Sequence, residues 1–308
     1  MSRRVALALG SGGARGFAHI GVIEVLGERG FEIVAVAGSS MGALVGGVMA
    51  AGRLAEFTEW VTGLKQRDVL RLFDPKWSAP GMITADRLID HLDAFLTDTQ
   101  IEDLPIPYTA VATDITARRE VWFQRGSLRS AIRASIAIPG LITPVVADGR
   151  VLADGGLLNP VPIEPTASVP ADLTVAVSLL ARRPDHESAA PIRTAAKRPR
   201  SAEWRTRLRH AIQLRAGDPA APATTEAVAE VAEAALPADL RLADVITSSL
   251  DAMQDMIARY RMAGLPPDVH IAVPVTAGGV MEFHRAAEMV ALGRELATKA
   301  LDDAGYPR

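Results

Sequence analysis

The chain has no cysteine among its 308 residues. Disulfides, thiolate nucleophiles and thiolate metal sites are excluded together, and the composition fits a reducing compartment. Histidine is scarce, at six residues (His19, His91, His186, His210, His270 and His284), which leaves few partners for a serine–histidine pair. No stretch supplies the ~18 uninterrupted apolar residues that a membrane span needs. Met1-Ser-Arg-Arg followed by Val5–Leu9 mimics the start of a signal peptide, but the apolar run is short and Arg15 and His19 soon interrupt it. It reads as a buried first strand. Neither sign of charge dominates: 33 Lys and Arg against 36 Asp and Glu give a net charge of −3, so nothing at whole-chain level favours nucleic acid. The expected location is cytoplasmic.

What is present is apolar. Hydrophobic residues make up 49% and charged residues 22%, ample for one large domain or two small ones. Short apolar runs at Val5–Leu9, Ile33–Ala37, Tyr108–Thr113, Leu173–Leu180 and Val269–Val273 alternate with helical patterns at Phe17–Glu28, Ala43–Ala51, Ser127–Ile138 and Phe283–Leu301. That alternation predicts a largely parallel sheet covered on both faces. Residues 53–103 read as helical with a break near Asp74–Gly81, and Asp148-Gly149 marks a hairpin within Val145–Ala153.

From 182 to 240 the sequence turns rich in Ala, Pro and Arg. Ten Lys or Arg lie between Arg182 and Arg215, against Asp185, Glu187 and Glu203. The expected organisation is a core over 1–181, a mobile insertion or cap over 182–240, and completion of the same domain over 241–308. In the last part Leu242, Val245, Ile246, Leu250, Met253, Ile257 and Tyr260 form a helical stripe. Ser201 is placed to cap a helix with Trp204, Leu208, Ala211 and Ile212 on one face, rimmed by Arg205, Arg207 and Arg209. Such a helix suits transient contact between 182–215 and an anionic membrane surface. Arg215 breaks its apolar face, and a solvated linker is the plainer reading.

Gly38-Ser39-Ser40-Met41-Gly42 is a G-x-S-x-G between a strand and a helix. A serine on a sharp strand-to-helix bend presents its hydroxyl to a substrate, a Cβ at either flank would collide across the bend, and the helix N-terminus favours developing negative charge. Ser40 is therefore the candidate nucleophile. The plain alternative is a tight turn without chemistry.

The first loop, Gly10–Gly16, can present bare backbone N–H groups to an oxyanion. Its rival reading is dinucleotide binding, since Gly10, Gly12 and Gly16 follow a strand and precede a helix. Arg15 stands where that fingerprint needs its third glycine, and the second strand ends in Ala37-Gly-Ser-Ser without a carboxylate. No cofactor fingerprint and no metal-ligand cluster remain. For the base, His19 near the glycine loop competes with a packed helix-face histidine, and Asp154 before Gly155-Gly156 is equally a turn former.

Ser11-Gly12-Gly13-Ala14-Arg15-Gly16, Gly38–Gly42 and Asp154-Gly155-Gly156, in this order, resemble the patatin-like phospholipase family. Ala134-Ser-Ile-Ala-Ile-Pro-Gly140 and Leu158-Asn-Pro-Val-Pro162 are similar to that family's flanking segments. The resemblance implies a three-layer α/β/α sandwich and a Ser40–Asp154 dyad without a catalytic histidine. It further implies an oxyanion hole from Gly12 and Gly13, with Arg15, Gly38, Gly42 and Gly155 supporting the site. Ser11 replaces the first glycine of the family's usual triplet. The implied activity is hydrolysis of lipid esters, phospholipid or lysophospholipid foremost. Acyl transfer by the same dyad, and a membrane-binding module with a vestigial site, are the alternatives.

Overall fold

The computed structural model describes residues 2–72, 86–96, 98–181 and 242–307. The break expected near Asp74–Gly81 and the cap and basic helix expected over 182–240 lie outside the described residues. In chain order the strands are β1 (Arg3–Leu9), β2 (Phe31–Ser39), β3 (Tyr108–Asp114), β4 (Arg119–Phe123), β5 (Val145–Ala147), β6 (Arg150–Asp154), β7 (Leu173–Ala181) and β8 (Val269–Pro274). The helices are α1 (Ala18–Glu28), α2 (Met41–Ala50), α3 (Leu54–Gly63), α4 (Gln66–Leu72), α5 (Asp86–Leu96), α6 (Leu128–Ser135), α7 (Leu242–Gly264) and α8 (Ala286–Asp303). By contacts the chain divides into two units, residues 1–183 with 246–308, and residues 184–245. Of the second only 242–245 are described.

The sheet runs β5-β6-β3-β2-β1-β7-β8, with β4 also on β3. The β3-β2-β1-β7-β8 stretch is parallel, while β4, β5 and β6 pair antiparallel. Along the central strands large and small apolar residues alternate, because both faces are covered. Val5, Leu7, Leu9, Val175, Val177 and Leu179 join the main core with α1, α2 and α8, whereas Ala8 and Ala176 pack with Val161, Ile163 and Ala258 of α7. Helices on both faces give the three-layer α/β/α architecture expected from the sequence.

Several boundaries differ from the sequence reading. β4 has no strong apolar alternation and is half exposed; pairing with β3, rather than its own pattern, makes it a strand. The Gly13–Phe17 part of the glycine loop is a tight 3₁₀ turn leading into α1. α6 stops at Ser135 rather than Ile138.

One feature of the register positions the site. β2 pairs with β3 as far as Ser39 opposite Val111, and β6 pairs with β3 from Asp154 opposite Ala112. β4 overlaps both on β3, over Ala110–Asp114. A strand has two edges, so β2 and β6 must share the other one, meeting head to head at their C-terminal ends. Ser39, which leads into Ser40, and Asp154 are thus brought to adjacent rungs of one strand.

Candidate active site

β2 turns into α2 at Ser40, whose φ of 56° and ψ of −122° are a strained conformation for a residue with a Cβ. The bend is possible only with bare backbone at its flanks. A Cβ on Gly38 would lie 2.2 Å from the Gly42 carbonyl carbon, and one on Gly42 would lie 2.0 Å from Leu9 O. Both obstacles are main chain, so they cannot swing aside. Gly42→Ala is expected to cost about 3 kcal/mol or more, read as a lowered denaturant midpoint. Near-wild-type stability would show that the bend relaxes freely.

The elbow is fixed from below by Ser135. Its Oγ accepts from the Ser40 N–H at 2.9 Å and donates to Val111 O at 2.6 Å. The Ser40 hydroxyl caps no amide of α2, so it stays available for chemistry at the positive end of that helix.

Asp154 ends β6 with only 3% of its surface exposed. Its N–H donates to Ala137 O at 2.9 Å, and its backbone carbonyl accepts from Thr113 Oγ1 at 2.9 Å. Oδ1 accepts from the Gly156 N–H at 2.7 Å, while Oδ2 is buried without a completed hydrogen bond. Burial pushes the carboxyl pKa up to about 6, against the opposing pull of the Ser40 hydroxyl and the Gly156 amide. The hydroxyl therefore faces the carboxyl closely enough to stabilise its charge. Gly155 lets the turn nest here, since a Cβ would lie 2.1 Å from Val111 O.

The glycine loop closes over these two groups. A Cβ on Gly16 would sit 2.3 Å from Met41 Cβ, and one on Gly156 would sit 2.5 Å from Ser11 Oγ and 3.0 Å from Asp154 Oδ1. The loop is pinned by hydrogen bonds from Gly10 N to Val177 O, Ser11 N to Pro160 O and Ala14 N to Val280 O. Between them the N–H groups of Gly12 and Gly13 have no partner among the described residues. Two free main-chain donors on a loop that packs on Met41, next to Ser40, suit a developing oxyanion.

Arg15 is buried, and it braces the loop. Nε donates to Gly12 O and Nη1 to Val275 O, each at 3.2 Å; burial lowers its pKa, with Asp251 opposing. His19 is wholly buried with Nε2 2.8 Å from Gly10 O. Burial lowers its pKa to about 4, so it is neutral near pH 7 and its ring holds the loop's first carbonyl; Ser40 is not among its partners. Among the described residues no three His, Cys, Asp or Glu side chains gather in a metal-holding arrangement, and no helix is long and apolar enough to cross a membrane.

Reasoning from single residues missed Ser135, although it lies in the Ala134–Gly140 segment. It also missed the polar cluster of Asn159, Glu120, Glu164 and Arg261 behind Gly155. Asn159 lies in the Leu158–Pro162 segment, but no local signal marks Arg261.

A family model described as patatin-like phospholipase matches residues 7–167. An uncharacterized NTE family protein of Mycobacterium tuberculosis is 47% identical over 337 aligned positions, covering 98% of this chain and 92% of its own. Patatin-like phospholipase domain-containing protein 6 of Homo sapiens is 36% identical over 183 positions, 57% of this chain and 13% of that protein. Among solved structures, the crystal structure of VipD from Legionella pneumophila aligns with a TM-score of 0.42 and 13% identity, over 98% of this chain and 67% of that one.

Proposed function

Because the chain belongs to the patatin-like phospholipase family, whose activity is lipid acyl hydrolysis, we propose that it cleaves carboxylic ester bonds of phospholipids or lysophospholipids through a Ser40–Asp154 dyad. The observation that carries this reading is a buried carboxyl facing the hydroxyl of a strained elbow, with its pKa lifted to about 6. Asp154 takes the proton from Ser40 Oγ as the oxygen attacks the ester carbonyl. The Gly12 and Gly13 amides hold the resulting oxyanion, and its collapse expels the alcohol with the proton from Asp154. Asp154 next deprotonates a water that attacks the acyl-enzyme; the fatty acid leaves and Ser40 Oγ recovers its proton.

An apolar cavity beside Met41, lined by Phe17, Leu44, Phe57, Trp60 and Phe283 among others, supports an acyl arm on the substrate. Its volume of ≈ 20 Å³ is about that of one water site.

A fluorophosphonate probe is expected to label one residue, Ser40. The kcat/KM for p-nitrophenyl esters is expected to rise at least about tenfold from acetate to octanoate, following apolar burial of the added methylenes. Labelling at another serine, or hydrolysis indifferent to chain length, would count against the reading. Analysis of products from a lysophospholipid separates free fatty acid, expected here, from acyl transfer to another alcohol. The contact of 182–215 with an anionic membrane and the cytoplasmic location remain proposals of the same reading.

A further inference from the structure

Asn159 is completely buried, and its main chain touches both halves of the site. Its carbonyl accepts from Ser39 Oγ at 2.6 Å, beside the elbow. Its N–H donates to Gly155 O at 2.9 Å, beside Asp154. Displacing Asn159 would therefore loosen Ser40 and Asp154 relative to each other.

The side chain of Asn159 is held in turn by two carboxylates. Nδ2 donates to Glu120 Oε2 at 2.9 Å and to Glu164 Oε2 at 3.3 Å. The remaining oxygens of both carboxylates converge on Arg261 of α7: Nη1 donates to Glu164 Oε1 at 2.6 Å and Nη2 to Glu120 Oε1. Trp122 Nε1 adds a donor to Glu120 Oε2 at 2.9 Å. These three charged side chains are 16–32% exposed, so water screens them only in part. Without the guanidinium, two negative charges would flank one amide and repel each other. A planar fork holds two carboxylates on donors of fixed geometry, which a rotatable ammonium does not impose.

We infer that Arg261 and Asn159 are positioning residues: the guanidinium seats Asn159 through the two glutamates, and Asn159 sets the separation of Ser40 and Asp154. None of these side chains contacts the Ser40 hydroxyl or the Asp154 carboxyl through a hydrogen bond. The role rests on the ester-hydrolase reading for its effect on rate, but the seating itself is measurable without any substrate.

The experiment compares the wild type, Arg261→Met and the double variant Arg261→Met/Glu120→Gln by amide hydrogen exchange and by p-nitrophenyl ester kinetics. In Arg261→Met, exchange over 38–42 and 154–159 is expected to quicken at least about tenfold while the α1 and α8 core keeps its protection. The kcat is expected to fall about tenfold with KM changed less than about twofold, since misplacement of reacting groups lowers the chemical step. The double variant, with one repelling charge removed and an acceptor kept, is expected to recover kcat to within about threefold of wild type. Unchanged exchange at those two segments overturns the inference whatever the kinetics show. So does a fall in kcat that the double variant leaves in place, or a loss of protection spread evenly over the core. A wild type that hydrolyses no ester overturns the hydrolase reading alone, and exchange then decides the positioning role by itself.

Discussion

Ser40→Gly is expected to abolish ester hydrolysis, by about 10⁴-fold or more in kcat/KM, and yet to be more stable than Ser40→Ala by about 1 kcal/mol. Both variants remove the Ser40 hydroxyl that faces Asp154, so both would lose the proposed nucleophile and the acyl-enzyme route with it. They differ in one respect. Alanine keeps a Cβ at φ 56°, ψ −122°, whereas glycine occupies that region without steric cost. Because both lack the hydroxyl–carboxyl contact, their difference isolates strain in the bend. Glycine gives back part of the gain through its freer unfolded chain. Parallel denaturant titrations of the two variants check it. Equal midpoints would mean that strain relief does no more than offset glycine's freer unfolded chain, and activity in either variant near that of the wild type would remove Ser40 from the reaction.

Asp154→Asn is expected to lower kcat by about 10³-fold while stabilising the protein at neutral pH. Asparagine keeps an oxygen for the Gly156 N–H but cannot take the Ser40 proton. The stability gain follows from the raised pKa. Between the ordinary carboxyl value of 3.8 and about 6 the folded protein binds a proton that the unfolded chain releases. Stability from this group is therefore full below about 4, declines as pH rises through about 6, and is absent above that. The penalty at pH 7 is on the order of 2–3 kcal/mol, and the asparagine variant escapes it. Its advantage over wild type should vanish below pH ~4. For the same reason the wild-type kcat/KM profile should rise with pH to a plateau, with an acid limb near 6, because only the ionised carboxylate acts as base. Activity undiminished well below that limb, or in the asparagine variant, would overturn the base assignment.

Much of the architecture was legible because local chemistry is insistent. Short runs without polar residues have only one place to go in a covered parallel sheet, so β1, β2, β3, β7 and β8 were visible as strands. The Asp148-Gly149 hairpin was readable because two consecutive positive φ values, here 49° and 72°, suit that pair. β4 was not readable: Arg119–Phe123 is short and only partly buried, with Val121 and Phe123 packed on the core, and it exists through its neighbour. His19 was ambiguous in sequence, and only its burial and its tie to Gly10 O assign it to the loop scaffold.

The amino-acid sequence by itself determined the elbow, since a serine between two glycines at a strand–helix junction has a single workable geometry, and it determined the bare donors of the first loop. It did not determine the partner of that serine. Whether Asp154 faces Ser40 depends on which edge of β3 receives β6 and at which rung, and pairing between distant strands leaves no local pattern. The tertiary structure decided that by letting β2 end opposite Val111 and β6 end opposite Ala112, head to head on one shared edge. The same holds for Arg261, whose neighbours come from β4 and the turn after β6: hydrogen bonds between remote segments belong to the assembled fold, not to any stretch of chain.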